Sequence, residues 1–423
     1  MCYHARVKKF FVDVSPLREH PEFRRLWAGS FVSQFGSQLS IVAIAYEVYH
    51  ITGSDLDVGF VSLVQLVPAL IGSMLGGSIA DAIDRRKLLL YVNTLMALVA
   101  FAMAEDVDRI HPSLFFLFGL AGLLALLQSL ASPAQTSLLI AIVGRETILK
   151  ASALSSLTRQ LTSVLGPSIG GILIASFGAR SAFWANAASF LVILISTLSV
   201  TSRVQVGGAT RFGWSSIVEG FSFLRGRPAI QGCFVADFGA TVLGMPTALF
   251  PALAITQFHG GPDSLGILYA APGIGATVGA GFSGWIQRIP RPGRAVCISI
   301  AIWGFSLAGL GLVTSLVFGV GFLVVAGIAD VISEILRSTI IQTETPDRLR
   351  GRLSSIQSAV VQSGPRLGNA EAGLVAALST TQVSVISGGL GCVIGVALIA
   401  RLMPKFVSYQ LPHTESSETA ISP

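Results

Sequence analysis

Charged residues are scarce in this chain, and their scarcity excludes a soluble globular protein. Only 12% of the 423 residues are Asp, Glu, Lys or Arg, whereas 52% are hydrophobic. A soluble domain carries about a quarter charged residues, which hydrate its surface. Most of the surface of this protein must therefore face lipid.

Residues that bind metals or form disulfides are also few. The four cysteines, Cys2, Cys233, Cys297 and Cys392, lie far apart and lack the spacing of a metal site or a disulfide framework. The six histidines fall in predicted tails or loops, which excludes a buried imidazole relay. We expect no metal and no cofactor. A membrane enzyme would need a paired nucleophile and base, and the sequence shows no such pair. With no buried histidine available, any proton coupling must use carboxylates.

Apolar segments of about 20 residues, the length of a transmembrane helix, recur along the whole sequence. Because lipid offers the backbone no hydrogen-bond partner and the alternating pattern of a membrane barrel is missing, these segments are predicted to be helices. The sequence thus predicts an all-α membrane protein with about twelve transmembrane helices. We place them at 23–48, 56–80, 86–104, 113–140, 151–177, 181–202, 229–257, 264–287, 294–314, 316–342, 353–377 and 381–402.

Basic residues concentrate on one side of these predicted helices. If the amino terminus is cytoplasmic, the outer loops keep only Arg109 and Arg180, while the other loop cations lie inside. The positive-inside rule then places both termini in the cytoplasm. The net charge of +6 reflects this topology and does not indicate nucleic-acid binding, because the basic residues are dispersed over many loops.

The chain contains an internal repeat. Pro68 and Gly77 align with Pro272 and Gly281 at an offset of 204, and LGPSIGG aligns with SGPRLGN at an offset of 198. The two halves are therefore predicted to be related six-helix bundles, which is the organisation of an alternating-access transporter. The predicted parts are a cytoplasmic lead (1–22), an amino-terminal bundle (23–202), a linker (203–228), a carboxy-terminal bundle (229–403) and a cytoplasmic tail (404–423).

The predicted linker carries apolar residues at helical spacing. These are Trp214, Ile217, Val218, Phe221 and Leu224. Such a pattern predicts an amphipathic helix on the inner membrane surface.

A polar interruption, GGSIADAIDRRKLLL, lies between the second and third predicted helices. It contains Gly77, Asp81, Arg85, Arg86 and Lys87 in the order of the loop motif of the major facilitator superfamily, which this sequence resembles. Asp84 stands where that motif usually has glycine. An acidic side chain at this point can meet cations and helix amino termini of the opposite bundle and close the cytoplasmic side. The alternative is a merely solvated, positive-inside turn.

A second motif lies in the fifth predicted helix. Gly166, Pro167, Gly170 and Gly171 resemble the end of the antiporter motif of exporters in this superfamily. Glycine allows close helix packing and proline bends a helix. The motif favours export, and the alternative is a kinked packing seam of the kind found in many membrane bundles.

Several further stretches narrow the resemblance to the enterobactin exporter family. They are SPLREHPEFRRLW, AIVGRETILKASALSSLTRQLTSVLGPSIGGILIASFG, LFPALA and IIQTETPDRLRGRLSS. The resemblance implies proton-driven efflux of a catecholate siderophore across the bacterial cytoplasmic membrane by a protein that we expect to be a monomer. Wider relatives include macrolide and multidrug exporters, so broad drug efflux stays an alternative. An alternative from another functional class is a receptor or assembly subunit that transports nothing.

Ionisable residues inside predicted helices are the candidates for function, because they are costly in lipid. Asp330, Glu334 and Arg337 are spaced i, i+4 and i+7 on one helical stripe, and Asp237 lies upstream of Pro246 and Pro251, which predict a bent helix. The proton-coupling candidates are Asp237, Asp330, Glu334, Glu371 and Glu47. The substrate-binding candidates are Arg159, Arg337, Arg366, Gln34, Gln38, Gln65 and Gln128.

Each of these candidates also has a structural interpretation. The alternative to proton transfer is that the acids and arginines form static ion pairs that hold the bundles together. The amides, with Asn93 and Asn186, can tie helices to one another instead of binding substrate.

Overall fold

The computed structural model describes residues 14–201, 224–281, 289–346 and 350–410, and these residues form helices without any strand. The first half contains α1 (Ser15–Glu19), α2 (Pro21–Thr52), α3 (Asp55–Ala82), α4 (Arg85–Val107), α5 (Leu114–Phe177) and α6 (Ala179–Leu198). The second half contains α7 (Pro228–Leu243), α8 (Pro262–Gly281), α9 (Pro292–Leu312), α10 (Leu316–Glu344), α11 (Arg350–Leu378), α12 (Thr381–Leu402) and α13 (Pro404–Val407). The predicted all-α fold is confirmed. The predicted linker helix, apart from Leu224, lies outside the described residues.

The helices are long enough to account for the predicted spans. Within the described residues, 10 helical segments are long and apolar enough to cross a membrane. The helices α2 and α11 have 32 and 29 residues but are too polar to count among those segments. At a rise of 1.5 Å per residue, each exceeds the roughly 30 Å of the hydrocarbon core.

The fourth and fifth predicted helices are joined without a loop. They form α5, which has 64 residues and one non-helical residue, Gly144, with φ of 73°. Glycine reaches this positive φ at little cost because it has no Cβ. The polar stretch between 140 and 151, which the sequence predicts to separate two helices, is therefore a kink.

The seventh predicted helix is broken, as its prolines indicate. After α7, the chain forms a 3₁₀ turn at Pro246–Leu249 and a π-helical turn at Leu253–Gln257. Proline cannot donate a backbone hydrogen bond, so this region needs other partners. The Oδ1 of Asn369 accepts hydrogen bonds from Thr247 Oγ1 at 2.7 Å and from the Ala248 backbone N–H at 3.0 Å. Asn369 thereby fixes the break against α11.

We call the end of the molecule where α2 begins and α12 ends the linker side, and the opposite end the far side. Contacts between the halves run along two helix pairs, α3 with α11 and α5 with α8. On the far side, the Thr381 hydroxyl donates a 2.6 Å hydrogen bond to Asp55 Oδ2 across the two halves. Gly59 packs against Gly373 and Asn369 nearby. The far side is therefore closed.

The buried apolar side chains confirm this asymmetry. The largest cluster runs through the first half and continues into the far-side part of the second half, where it includes Leu249, Leu265 and Ala372. The linker-side part of the second half has a separate cluster around Ile230 and Phe406. Among the described residues, the linker-side parts of the two halves therefore lie in separate apolar clusters.

On the linker side of the second half, polar contacts join Arg227 and Tyr409 to Glu344 at the end of α10. Arg227 donates to the Glu344 backbone carbonyl at 2.8 Å, and the Tyr409 hydroxyl donates to Glu344 Oε1 at 2.9 Å. Burial is the main cause that raises the pKa of Tyr409, and the hydrogen bond to Glu344 raises it further. The phenol therefore stays protonated and keeps donating to this carboxylate.

Candidate functional site

An ion pair occupies a recess in the second half. Arg337 Nη2 on α10 lies 2.8 Å from Asp237 Oδ1 on α7, and the two side chains are 10% and 12% exposed. Arg337 Nη1 also donates to Ser333 Oγ at 2.8 Å. Asp330 and Trp303 are among the other residues that line this recess, which has room for about one water at 10 Å³. The structure thus brings together Asp237, Arg337 and Asp330.

The other predicted member of this stripe lies outside the recess. Glu334 is exposed on α10 and is not part of the recess lining, while Asp330 is exposed and lines it. Arg337 pairs with neither of them but with Asp237 on the neighbouring helix. Helical spacing places the three residues on one face but does not determine which acid the guanidinium binds.

A larger polar cavity lies inside the first half on the linker side. It has a volume of about 150 Å³ and is lined from α2, α4, α5 and α6. Among the predicted substrate-binding residues, Gln34 and Arg159 line it. Asn93, Gln135 and Trp27 also line it, and the sequence alone did not indicate that they meet.

The remaining predicted charged residues lie apart from both sites. Arg366 is half-buried on α11 and donates to its own helix at the Gln362 carbonyl, 3.2 Å away. Glu371 is half-buried on the same helix, and no ion pair joins it to Arg366 in the part of the chain that the structure describes. Glu47 is 6% exposed at the far-side end of α2.

The other predicted amides take structural or peripheral positions. Asn186 Nδ2 donates to Ser40 Oγ at 2.6 Å and joins α6 to α2. Gln38 packs against Gly166, Gln65 is half-buried on α3 and Gln128 is exposed on α5. Neither cavity is lined by these four amides.

Two functional candidates on the far side escaped the sequence analysis. Asp106 is fully buried at the end of α4, where its carboxylate accepts from the Ser113 backbone N–H at 3.2 Å and lies 3.3 Å from Arg109. Asp55 bonds Thr381 across the halves, and its Oδ1 is buried without a partner. Both aspartates lie near the ends of predicted helices, where charged residues are common, so the sequence did not mark them as buried.

A family described as transmembrane secretion effectors matches residues 12–421 of the chain. It is part of the major facilitator superfamily. The chain belongs to this family. Among curated proteins, it is 29% identical over 405 residues to the enterobactin exporter EntS of Citrobacter koseri, covering 96% of this chain and 97% of the relative. It is likewise 29% identical to enterobactin exporter EntS of Shigella boydii, over 94% of this chain and 95% of that protein.

Solved structures show the same fold at low sequence identity. The nucleoside transporter NupG has a TM-score of 0.72 at 13% identity, covering 92% of this chain and 100% of that one. A bacterial homologue of the lysosomal transporter Spinster has a TM-score of 0.71 at 16% identity, covering 93% and 99%. The protein is therefore a multi-pass membrane transporter of the major facilitator fold and not an enzyme.

The loop motif of this family member makes contacts inside the first half. The guanidinium of Arg86 donates to the Thr197 carbonyl at 3.3 Å and the Leu198 carbonyl at 2.6 Å, at the end of α6. Asp84 accepts from the backbone N–H groups of Arg86 at 2.9 Å and Lys87 at 3.2 Å, and so caps α4. The side chain of Asp81 lies outside the described residues. Asp84, which departs from the usual glycine, thus has a local structural role as an N-cap.

The glycine and proline motif of α5 lies where the halves meet. A Cβ on Gly266 of α8 would stand 2.7 Å from the Pro167 carbonyl oxygen and 2.8 Å from Gly171 Cα. Gly166 and Gly170 face α2 within the first half, against Gln38 and Leu39. In this member of the transmembrane secretion effector family, the motif therefore allows α5 to approach both α2 and α8 closely.

Proposed function

We propose that this protein exports a catecholate siderophore from the cytoplasm across the bacterial cytoplasmic membrane, in exchange for protons and by alternating access. The observation that carries the proposal is the 29% identity to enterobactin exporters over 96% of the chain. The far-side closure and the separate linker-side cores fit one state of such a cycle. In this proposal the linker side is cytoplasmic.

The distribution of charge supports this orientation. The far-side loops contain Arg109 and Arg180, and both are neutralised locally. Arg180 lies 3.2 Å from Glu105 and 2.8 Å from Asp108, and Arg109 lies 3.3 Å from Asp106. Loops on the outer side of a membrane protein contain few Lys and Arg residues. The dispersed basic residues of this chain lie instead on the linker side.

The ion pair between Asp237 and Arg337 supplies a mechanism for proton exchange. An ionised Asp237 can accept a hydrogen bond from a substrate hydroxyl beside the guanidinium of Arg337. Protonation of Asp237 removes this acceptor and releases the substrate, and loss of the proton restores it. Proton and substrate thereby compete for one carboxylate, which is the requirement for exchange.

The static interpretation of the same pair makes a different prediction. If Asp237 and Arg337 only hold α7 against α10, neutralising both together should preserve proton-driven transport, because no charge is left unpaired. In our proposal the double variant Asp237→Asn, Arg337→Gln loses proton coupling even when it is folded.

The test is transport by the purified full-length protein in proteoliposomes under an imposed pH gradient. A catecholate siderophore, a cationic dye and a macrolide are compared. We expect the siderophore alone to move, with gradient-driven transport reduced at least tenfold in Asp237→Asn and counterflow without a gradient retained. Glu334→Gln reports whether the exposed acid of α10 also takes part.

The matched control is Asp108→Asn, which removes an exposed carboxylate on the far side. It should transport like the unmodified protein. Movement of the dye or macrolide in place of the siderophore would replace the proposal with drug efflux. Absence of transport for all three compounds by folded protein would contradict both and favour the receptor interpretation.

A further inference from the structure

The cavity in the first half has polar groups that no protein atom satisfies. The indole Nε1 of Trp27 is buried without a hydrogen-bond acceptor. The side-chain amide of Asn93, a residue only 1% exposed, makes no hydrogen bond to any described residue, and half-buried Gln34 and exposed Gln135 also line the cavity. Buried polar groups in native proteins are nearly always paired, so two buried, unpaired groups that line one cavity indicate a ligand site.

The charge of the lining selects the kind of ligand. Among the described residues that line this cavity, Arg159 is the cation and none is a carboxylate. The Arg159 guanidinium donates to Ser156 Oγ at 2.7 Å, which uses one of its five N–H groups. Indole, amide and guanidinium N–H groups are donors. The cavity is therefore suited to an anionic ligand that is rich in oxygen acceptors.

The hydroxyl groups of the lining are directed to the backbone. Ser155, Thr158 and Thr197 donate to carbonyls one turn earlier in their own helices, at 3.0, 3.1 and 2.8 Å. Their donor capacity is used, and each oxygen can still accept. They can therefore receive a hydrogen bond from a ligand hydroxyl, whereas the indole and amide N–H groups of the lining can donate to its oxygens.

The shape and apolar lining indicate a ring. The volume of about 150 Å³ holds a substituted six-membered ring but not a whole multi-ring siderophore, and Phe23, Leu26 and Leu139 provide apolar walls. Trp27, whose ring lies 6.2 Å from that of Phe31, adds an aromatic face. Planar aromatic ligands pack favourably against such surfaces.

We infer that this cavity, which lies within the first half and is separate from the ion pair of the second half, binds one anionic catechol ring of the exported molecule. The inference rests on the proposed function for its choice of ligand. It assigns Arg159 to the anionic oxygen, the Trp27 indole and the amides to the remaining oxygens, and Ser155 and Thr158 to the ring hydroxyls. Substrate recognition and proton exchange are then divided between the two halves.

The test is binding of 2,3-dihydroxybenzoate to the purified full-length protein in lipid nanodiscs, by calorimetry and by tryptophan fluorescence. We expect saturable binding that benzoate and inorganic phosphate compete with at least tenfold less well. Arg159→Gln should weaken binding at least tenfold, and Gln34→Leu and Trp27→Phe about threefold to tenfold, because charged hydrogen bonds contribute more than neutral ones. Trp27→Phe should also remove the ligand-induced quenching.

The matched controls are Arg401→Gln and Trp184→Phe, which make the same changes at exposed positions outside the cavity. They should bind like the unmodified protein. Equal competition by phosphate would show a general anion site and overturn the catechol assignment, as would unchanged binding in folded Arg159→Gln and Gln34→Leu. Siderophore transport without this binding would overturn the inference but leave the proposed function standing. Binding of 2,3-dihydroxybenzoate without siderophore transport would leave the cavity as a binding site but contradict the proposed function.

Discussion

Arg337 illustrates how much a single buried cation depends on its neighbours. The residue as a whole is 8% exposed, and its guanidinium forms an ion pair with Asp237 and a hydrogen bond to Ser333. The sequence places Arg337 on a stripe with Asp330 and Glu334, and burial logic predicts that it matters. Its actual partner lies on another helix about 100 residues away, which no helical periodicity can indicate.

The first residue-scale prediction concerns breaking this pair on one side only. Arg337→Met should lower the free energy of unfolding by about 3–5 kcal/mol, because it leaves Asp237 buried and unpaired. The double variant Asp237→Leu, Arg337→Met should recover most of this loss. Thermal unfolding in detergent measures both. Equal loss in the single and double variants would mean that the pair is too hydrated for this argument.

The second residue-scale prediction separates structural amides from binding amides. Asn186→Leu removes the bond to Ser40 and should lower stability by about 1–2 kcal/mol, as polar contacts between membrane helices do. Catechol binding should stay unchanged. The unfolding midpoint and the binding affinity are measured on the same preparation. A fall in affinity without a fall in stability would contradict the structural role.

At the scale of elements, close approach of helices depends on missing side chains. The helices α5 and α8 meet at Gly171 and Gly266, and α3 meets α11 at Gly59 and Gly373. Both contacts join a helix of one half to a helix of the other half. The sequence analysis kept a packing seam as the alternative interpretation of the antiporter motif, and it did not predict that this motif packs against the opposite half.

The element-scale prediction is that a side chain at Gly266 prevents far-side closure. Gly266→Leu collides with backbone atoms of α5, so the far side should stay open and transport should fall at least tenfold. Spin labels at His111→Cys and Ser379→Cys report the distance between the halves. Gly119→Leu, at a glycine with open space around it, is the control. Far-side distances unchanged from the unmodified protein would contradict the prediction.

At the scale of the whole molecule, the alternating access that we propose implies a balance between open and closed states, to which one hydrogen bond contributes. Thr381 donates to Asp55 across the far side, whereas the linker side has separate cores in the two halves. A ligand or a substitution shifts such a balance only through a difference in free energy between the two states. Only contacts that exist in one of the two states, such as those of the closed far side, can therefore shift this balance.

The whole-molecule prediction is that Thr381→Val raises the population with an open far side by a few fold. The lost bond contributes about 1 kcal/mol to the closed state only. The same pair of spin labels measures this population. Thr94→Val, which removes a hydroxyl bonded within α4, should leave it unchanged. An equal response of both variants would mean that the bond across the halves does not stabilise the closed state.

The sequence by itself determined the membrane environment, the all-helical fold and the repeat of two bundles, because apolar length and glycine and proline spacing are local properties of the chain. It also identified the ionisable residues that lipid makes costly, among them Asp237 and Arg337. Only the tertiary structure decided which of them meet, that Trp27, Asn93 and Gln135 share a cavity, and that Asp55 reaches Thr381. Those contacts join residues distant in sequence, and their geometry depends on how whole helices pack.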